Sequence, residues 1–285
     1  MENDRFELPV PHVSDTAWLV AELRAIESER PDAHFHDPLA RKLLGDKGPR
    51  ILDLFGGSIT SDFLMSVRTK VIDDLILKTI AAGADTVINL AAGLDTRPYR
   101  LALPPTLRWI EADYSDLIAY KTERLASDQP NCDLSRRGID LSIDSDRQAF
   151  LDEVAGESRR CLVLTEGLLY YLTEDNVASL ATELHARKAI QWWMMDVMDK
   201  NFKEWMREKF APKQSTGKGT EFRFIPDDMT QFISSFGWKK SVFHSFAAEA
   251  ERLNRLPVEP WSPTARSLQE NSGITLFRRE ETGNT

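Results

Sequence analysis

The sequence predicts an α/β fold: a mostly parallel sheet of seven strands with helices on both faces. Three observations carry that prediction. From about residue 61 onward, short apolar runs alternate with segments of helical periodicity. That order gives a parallel sheet covered on both faces. Residues 86–97 read T-V-I-N-L-A-A-G-L-D-T-R, an apolar run followed by a small-residue turn with one glycine, Gly93. Further on, Trp109-Ile110-Glu111-Ala112-Asp113 is a second apolar run that ends in carboxylates. A strand feeding a tight turn and helix, with an acid at the tip of the next strand, is how a Rossmann-type sheet holds a nucleoside.

The elements follow in chain order. Residues 14–30 carry Ala17, Leu19, Val20, Leu23 and Ile26 at helical spacing, with Ser14 as a candidate N-cap. His34-Phe35-His36-Asp37-Pro38 breaks that helix, and a short one follows through Leu44. Residues 61–81 form a stronger helix, with Leu64, Val67, Val71, Ile72 and Leu75 as its apolar stripe and Gly83 after its end. Strands are expected at 86–91, 107–112, 136–140, 160–165, 191–197, 239–246 and 273–278. Helices are expected at 95–101, 115–126, 146–155, 174–188, 200–210 and 227–236. The last two strands have no long helix expected between them, which predicts an antiparallel final hairpin.

The segment 198–225 interrupts the alternation with Phe202, Trp205, Met206 and Phe210 and then a loop at 212–220. It reads as a cap over the C-terminal edge of the sheet. The expected organisation is therefore a single domain over 1–285. An N-terminal helical extension or lid takes 1–60, the cofactor-binding core 61–197, the cap insertion 198–225 and the strands that complete the sheet 226–285.

Bulk properties exclude several function classes. A formal charge of −9 without a Lys/Arg cluster repels phosphate backbones and argues against a nucleic-acid partner. The two cysteines, Cys132 and Cys161, are too far apart for a short metal motif and make no disulfide framework. Met1-Glu2-Asn3-Asp4 lacks the apolar core of a signal peptide, and no uncharged run reaches about 20 apolar residues. A soluble cytoplasmic protein without a membrane partner is expected. His34 and His36 form a His-x-His pair with no evident third ligand, so no metal site is expected.

The turn argues about which cofactor. Dinucleotide folds usually show three glycines so that the backbone can approach a pyrophosphate. Here only Gly93 lies in the turn, and Asp95 would repel a phosphate at the following helix N-terminus. A nucleoside without phosphate fits better, and S-adenosylmethionine is one. Asp113 is the candidate for the ribose hydroxyls; Glu111 has the same strand parity and is its rival. Asp140 could accept from an adenine amino group while the N–H of Leu141 donates to a ring nitrogen; a plain turn residue or helix cap is the alternative. Arg68 falls inside an apolar stripe, where a guanidinium must meet an anion or bear a desolvation cost. Glu166 closes the apolar run 161–164 at a strand's C-terminal tip, where open α/β sheets bind ligands. Together Arg68 and Glu166 could grip an amino acid by both charged ends, or pair structurally with each other.

These segments resemble the leucine carboxyl methyltransferase family of class I S-adenosylmethionine-dependent methyltransferases, which includes bacterial polyketide O-methyltransferases. The resemblance runs from about Thr16 to Trp238. It is carried by Thr16-Ala17, Arg24-Ala25, Asp37-Pro38-Leu39-Ala40, Arg68-Thr69-Lys70, Asp73-Asp74 and Asn89-Leu90-Ala91-Ala92-Gly93-Leu94-Asp95-Thr96-Arg97. Glu111-Ala112-Asp113, Asp140-Leu141 and Glu166-Gly167-Leu168-Leu169-Tyr170-Tyr171-Leu172 complete it. Ala91 departs from the pattern, which often has glycine there.

The resemblance implies the seven-stranded, Rossmann-like class I methyltransferase sheet with an N-terminal helical extension and an inserted cap. It implies that Arg68 binds the cofactor carboxylate, Gly93 lets the methionine part lie against the backbone, and Asp113 holds the ribose. Asp140 and Leu141 would hold adenine, Glu166 the amino group, and Tyr171 would line the methyl-transfer site. A small acidic or phenolic metabolite is the expected acceptor, with a protein C-terminal carboxylate as the alternative. A nucleotide-dependent oxidoreductase and a non-catalytic cofactor-binding protein are the competing classes. The sequence is silent on oligomeric state.

Overall fold

The structure, a computed structural model, describes residues 15–45, 48, 51–52, 62–201, 222–257 and 261–280. Seven strands form one sheet: β1 (Thr86–Leu90), β2 (Arg108–Asp113), β3 (Asp133–Gly138), β4 (Cys161–Thr165), β5 (Ile190–Val197), β6 (Trp238–Ser245) and β7 (Gly273–Arg279). Their order is β3-β2-β1-β4-β5-β7-β6. The first five run parallel, and β7 lies antiparallel between β5 and β6. β1 and β4 sit at the centre and every residue in them is buried, as continuous apolar runs in a doubly covered sheet require.

Side-chain alternation divides the core in two. Ile88, Leu90, Ile110 and Trp193 face one layer, with α6 (Asp144–Gly156), α7 (Glu174–Ala186) and α8 (Met229–Ser234). Val87, Trp109, Leu162 and Leu164 face the other, with α3 (Asp62–Ala81) and α9 (Phe246–Arg252).

A third cluster belongs to the N-terminal extension. Here α1 (Asp15–Ser28) and α2 (Pro38–Leu44) pack Trp18, Ala21, Leu43 and Leu44 against Leu94 of the glycine turn. The same cluster holds Leu117 and Leu125 of α5 (Ser115–Arg124) and its cap. Trp18 is wholly buried, edge-on to Tyr120 at 5.2 Å between ring centres. The extension is therefore seated on the turn itself.

Two expectations need correction. The third strand starts at Asp133, three residues before its expected start, and ends at Gly138, so Asp140 stands two residues beyond it. An edge strand reading D-L-S-R-R-G has no apolar run to mark it; pairing with β2 defines it. Between β6 and β7, α9 is followed by α10 (Pro263–Asn271), although the two strands are antiparallel as expected. Helix α10 buries only Ala265, Leu268 and Gln269, so its apolar stripe is thin. Its start was nonetheless written in the chain: Ser262 accepts from the Ala265 N–H, and Pro263 opens the first turn. The expected helix at 200–210 and most of the cap fall at 202–221, outside the described residues.

Candidate active site

The C-terminal tips of the parallel strands gather the candidate residues. After β1 the chain turns through Ala91 (φ +56°) and Gly93 (φ +52°), both in the left-handed region. Glycine takes that region freely; alanine does so at a cost of about 1–2 kcal/mol. A Cβ added at Gly93 would meet only the Cβ of Ala17, at 3.6 Å. Backbone conformation, rather than crowding, selects glycine there. The turn leads into α4 (Arg97–Arg100).

The two rival acids of β2 separate cleanly. Glu111 is wholly buried, and its carboxylate accepts from Lys121 Nζ at 2.8 Å and Arg136 Nε at 2.8 Å. It holds the sheet and α5 together. Asp113 ends the strand and turns to the glycine loop. It accepts from the Gly93 N–H at 2.7 Å and the Tyr114 N–H at 2.8 Å. Burial raises its carboxyl pKa above the ordinary aspartate value, partly offset by those two N–H groups. Each oxygen retains accepting capacity.

Asp140 closes an Asx-type turn by accepting from the Ser142 N–H at 2.9 Å and from the Ser142 hydroxyl. The Leu141 carbonyl accepts from Arg147 Nη1 at 2.7 Å. The carbonyl is thus pinned, while no hydrogen bond among the described residues uses the Leu141 N–H.

Arg68, on α3, is 8% exposed and meets Glu166 at the end of β4. Its Nε stands 2.9 Å from Glu166 Oε1, but Nε has no aligned hydrogen-bond acceptor. Arg68 Nη1 is 3.4 Å from Asp196 Oδ2, and Asp196 Oδ1 accepts from the Gly167 N–H at 2.8 Å. Burial disfavours the Arg68 charge, but Glu166 and Asp196 outweigh it and raise the pKa. Burial likewise opposes the Glu166 charge, and Arg97 and then Arg68 overcome it and depress the pKa. For Asp196 burial wins, and the carboxyl is raised.

The sequence reading gave no role to Arg97, yet it is the hub. Its Nε donates to Asp73 Oδ1 at 2.7 Å, and its Nη1 donates to Asp95 Oδ2 at 2.9 Å and to Glu166 Oε2 at 2.8 Å. Arg100 holds both oxygens of Asp73 from behind. Asp95 also accepts from Asn89 Nδ2 at 2.8 Å. Its charge is therefore already partnered, and it does not act as the expected phosphate-repelling group. Asp196 was missed too, although it follows the buried run Trp193-Met194-Met195, the same signal that marked Glu166. Three guanidiniums (Arg68, Arg97, Arg100) and four carboxylates (Asp73, Asp95, Glu166, Asp196) form one network. It carries one negative charge in excess.

Beyond Glu166 the chain makes a 3₁₀ turn at Leu169–Tyr171. Tyr170 and Tyr171 both pack on Phe222, at 5.9 and 5.7 Å between ring centres. The Tyr170 hydroxyl is buried without a hydrogen-bond partner among the described residues. Burial raises the Tyr171 pKa, and a hydrogen bond with the Thr16 side chain offsets only part of it. From α1, Arg24 donates through Nη2 to the Leu94 carbonyl at 2.6 Å and through Nε to Asp37 at 2.9 Å. The N-terminal extension is thus tied to both the turn and the aromatic wall. Among the described residues no cluster of three or more His, Cys, Asp or Glu could hold a metal ion, and no helix is long and apolar enough to cross a membrane.

The leucine carboxyl methyltransferase family model matches residues 17–185. A Streptomyces avermitilis protein named as an S-adenosyl-L-methionine-dependent methyltransferase is 28% identical over 93% of this chain and 95% of its own. A Streptomyces coelicolor protein so named is 30% identical over 84% of this chain and 87% of its own. Among solved structures, a methyltransferase-type protein from Thermobifida fusca superposes with a TM-score of 0.55 at 16% identity, covering 96% of this chain and all of that one. A DUF574 family protein from Streptomyces avermitilis gives a TM-score of 0.52 at 9% identity, covering 92% of this chain and 97% of that one. These two likenesses establish the fold.

Proposed function

Because this chain belongs to the leucine carboxyl methyltransferase family and is an S-adenosylmethionine-dependent methyltransferase, we propose that it methylates oxygen, on a carboxylate or phenolic hydroxyl of a small, partly apolar metabolite in the cytoplasm. The cofactor, when bound, supplies an activated methyl group on a sulfonium, and the protein supplies alignment, desolvation and binding.

The residues fit that group. The network of three guanidiniums and four carboxylates suits a ligand with one net positive charge. Asp113 has accepting capacity for ribose hydroxyls, and Asp140 with the unengaged Leu141 N–H offers an acceptor and a donor to adenine. Arg68 would take the cofactor carboxylate and Glu166 its ammonium. Gly93, without a side chain, would let the chain between them lie against the backbone, with Ala17 of α1 close by.

The observation that favours an oxygen acceptor, and a carboxylate above all, is the lack of a base at the aromatic wall among the described residues. Burial holds the Tyr171 phenol protonated, so it can donate a hydrogen bond but not abstract a proton at neutral pH. The four described histidines bond elsewhere or pack elsewhere: His34 on the Leu253 carbonyl, His36 on that of Ser28, His244 on Glu249 and His185 against Trp238. Burial pushes the Cys132 and Cys161 thiols up to about 12 and about 11. A carboxylate needs no base, because it is ionised at neutral pH.

The test is a transfer assay with labelled cofactor against aromatic and aliphatic carboxylic acids, phenols, amines and a peptide ending in leucine. Product lability then reports the bond, since alkali releases methanol from a methyl ester and leaves an aryl methyl ether intact. Turnover confined to amines would overturn the reading. Turnover confined to the peptide would transfer it to a protein carboxyl group.

A further inference from the structure

Glu166 has two unlike sides. Oε2 receives a well-formed hydrogen bond from Arg97 Nη1 at 2.8 Å. Oε1 lies 2.9 Å from Arg68 Nε, yet that N–H has no aligned acceptor. One contact is a charge-assisted hydrogen bond and the other is Coulombic proximity without directionality. Arg97 is itself immobilised. It is 2% exposed, and Asp73 and Asp95 hold it from two further directions. Arg100 then fixes Asp73 through both carboxylate oxygens.

We infer that Arg97 is the positioning residue that fixes Glu166 as receptor for the cofactor's ammonium, and that the Arg68–Glu166 contact is a place-holder exchanged for the two charged ends of the amino-acid moiety. This rests on the assignment of Glu166 and Arg68 made above. The exchange conserves charge. An ammonium takes the place of Arg68 at Oε1, and a carboxylate takes the place of Glu166 at Arg68 Nε. The buried network gains a neutral zwitterion in exchange for one ill-formed contact. Throughout, the Arg97 bond to Oε2 keeps the carboxylate from following Arg68. Asp196, raised in pKa by burial and facing Arg68 Nη1, keeps the second guanidinium nitrogen in place.

Calorimetric titration with two ligands tests this. S-adenosylhomocysteine has the amino-acid end; 5′-methylthioadenosine has the same nucleoside and thioether without it. Arg97→Lys keeps the charge but cannot reach three carboxylates as a planar fork does. It should weaken S-adenosylhomocysteine about ten-fold, the scale of losing an outer orienting partner, and leave methylthioadenosine within about two-fold. Glu166→Gln should show the same selectivity, and the double variant should bind no worse than Glu166→Gln alone, because the two residues act as one unit. Equal weakening of both ligands by Arg97→Lys would make Arg97 a support of the turn and overturn the inference; so would no effect, or full additivity in the double variant. If Glu166→Gln binds S-adenosylhomocysteine as the wild type does, the ammonium assignment itself fails, whatever Arg97 does. Should Arg97→Lys not fold, Asp73→Asn carries the same comparison with the same expected selectivity, because it loosens Arg97 without removing it.

Discussion

Glu111 and Asp113 lie two residues apart on one strand, share its parity, and should answer neutralisation in different ways. Glu111→Gln leaves the Lys121 ammonium wholly buried without its counter-charge; Arg136 loses its charged partner as well, but it keeps the Tyr99 hydroxyl and at 12% side-chain exposure it can reach water. Breaking a buried pair by removing one partner costs about 3–5 kcal/mol, so the urea midpoint should fall steeply while the surviving folded protein binds S-adenosylhomocysteine normally. In Asp113→Asn the single amide oxygen can serve only one of the two backbone donors, which now take separate oxygens (Gly93 N–H on Oδ2, Tyr114 N–H on Oδ1), although burial already disfavours the charge that is removed. Leaving one N–H without an acceptor should cost about 1–3 kcal/mol, less than the loss expected for Glu111→Gln. Affinity should not escape. Losing charge-assisted bonds to the ribose hydroxyls, at about 1.5–3 kcal/mol and about 1.4 kcal/mol per decade, predicts a ten- to hundred-fold weaker complex. Urea unfolding and calorimetry on both variants decide it. If folded Glu111→Gln loses affinity as Asp113→Asn does, or if Asp113→Asn loses stability and keeps affinity, the division of labour between the two acids is wrong.

Three further outcomes are expected. Ala91→Gly removes left-handed strain of about 1–2 kcal/mol against an unfolded-state entropy cost of about 0.4–1 kcal/mol, so it should raise unfolding stability by about 0.5 kcal/mol at φ +56°; a lower urea midpoint would refute the strain. Arg24→Met breaks a buried link from α1 to Asp37 and to the Leu94 carbonyl. It should cost about 3 kcal/mol and expose the 15–44 segment to protease before the sheet, so uniform digestion would count against a separately anchored extension. The third outcome concerns acid. In Asp37, Asp95 and Glu166 burial opposes ionisation, but neighbouring guanidiniums outweigh it and hold the pKa below the unfolded value. Their stabilisation is complete above the ordinary carboxylate range, about pH 4, and is lost as pH falls through the depressed values. Asp113 and Asp196, raised by burial, contribute with the opposite sign just above that range. Stability should therefore stay nearly flat on mild acidification and collapse below it, as a pH series of urea midpoints would record.

The sheet was legible because central strands announce themselves. β1 and β4 are buried at every residue, and such strands cannot be written without unbroken apolar runs. β3 was displaced because its pattern is set by its neighbour across the ladder. Helix α10 shows only its start, Ser262 and Pro263, because three buried residues suffice to seat it and leave no apolar stripe to mark its length. Among the candidate site residues, Arg68 stood out as a charge in an apolar stripe, and Glu166 as an acid at a buried strand tip. Arg97 could not be read in the same way. Its significance lies in three carboxylates supplied from positions 73, 95 and 166, and only the fold brings them to one guanidinium.

The turn itself changes the case against a dinucleotide. The sequence reading set Asp95 against a phosphate, but the structure hands its charge to Arg97 and Asn89. What disfavours a pyrophosphate is instead the fate of the backbone donors. A phosphate at a helix N-terminus needs free N–H groups. Here four of the turn's N–H groups are engaged, leaving those of Leu94 and Thr96 out of any hydrogen bond among the described residues: the Ala92 N–H donates to the Ala112 carbonyl, the Gly93 N–H to Asp113, the Asp95 N–H to the Ala92 carbonyl and the Arg97 N–H to Asp95. An incoming anion would have to displace a carboxylate from Gly93 and would meet a network already one negative charge in excess. A sulfonium cofactor asks nothing of those N–H groups. The loop can therefore spend them on holding Asp113 and α4 in place, and one glycine is enough.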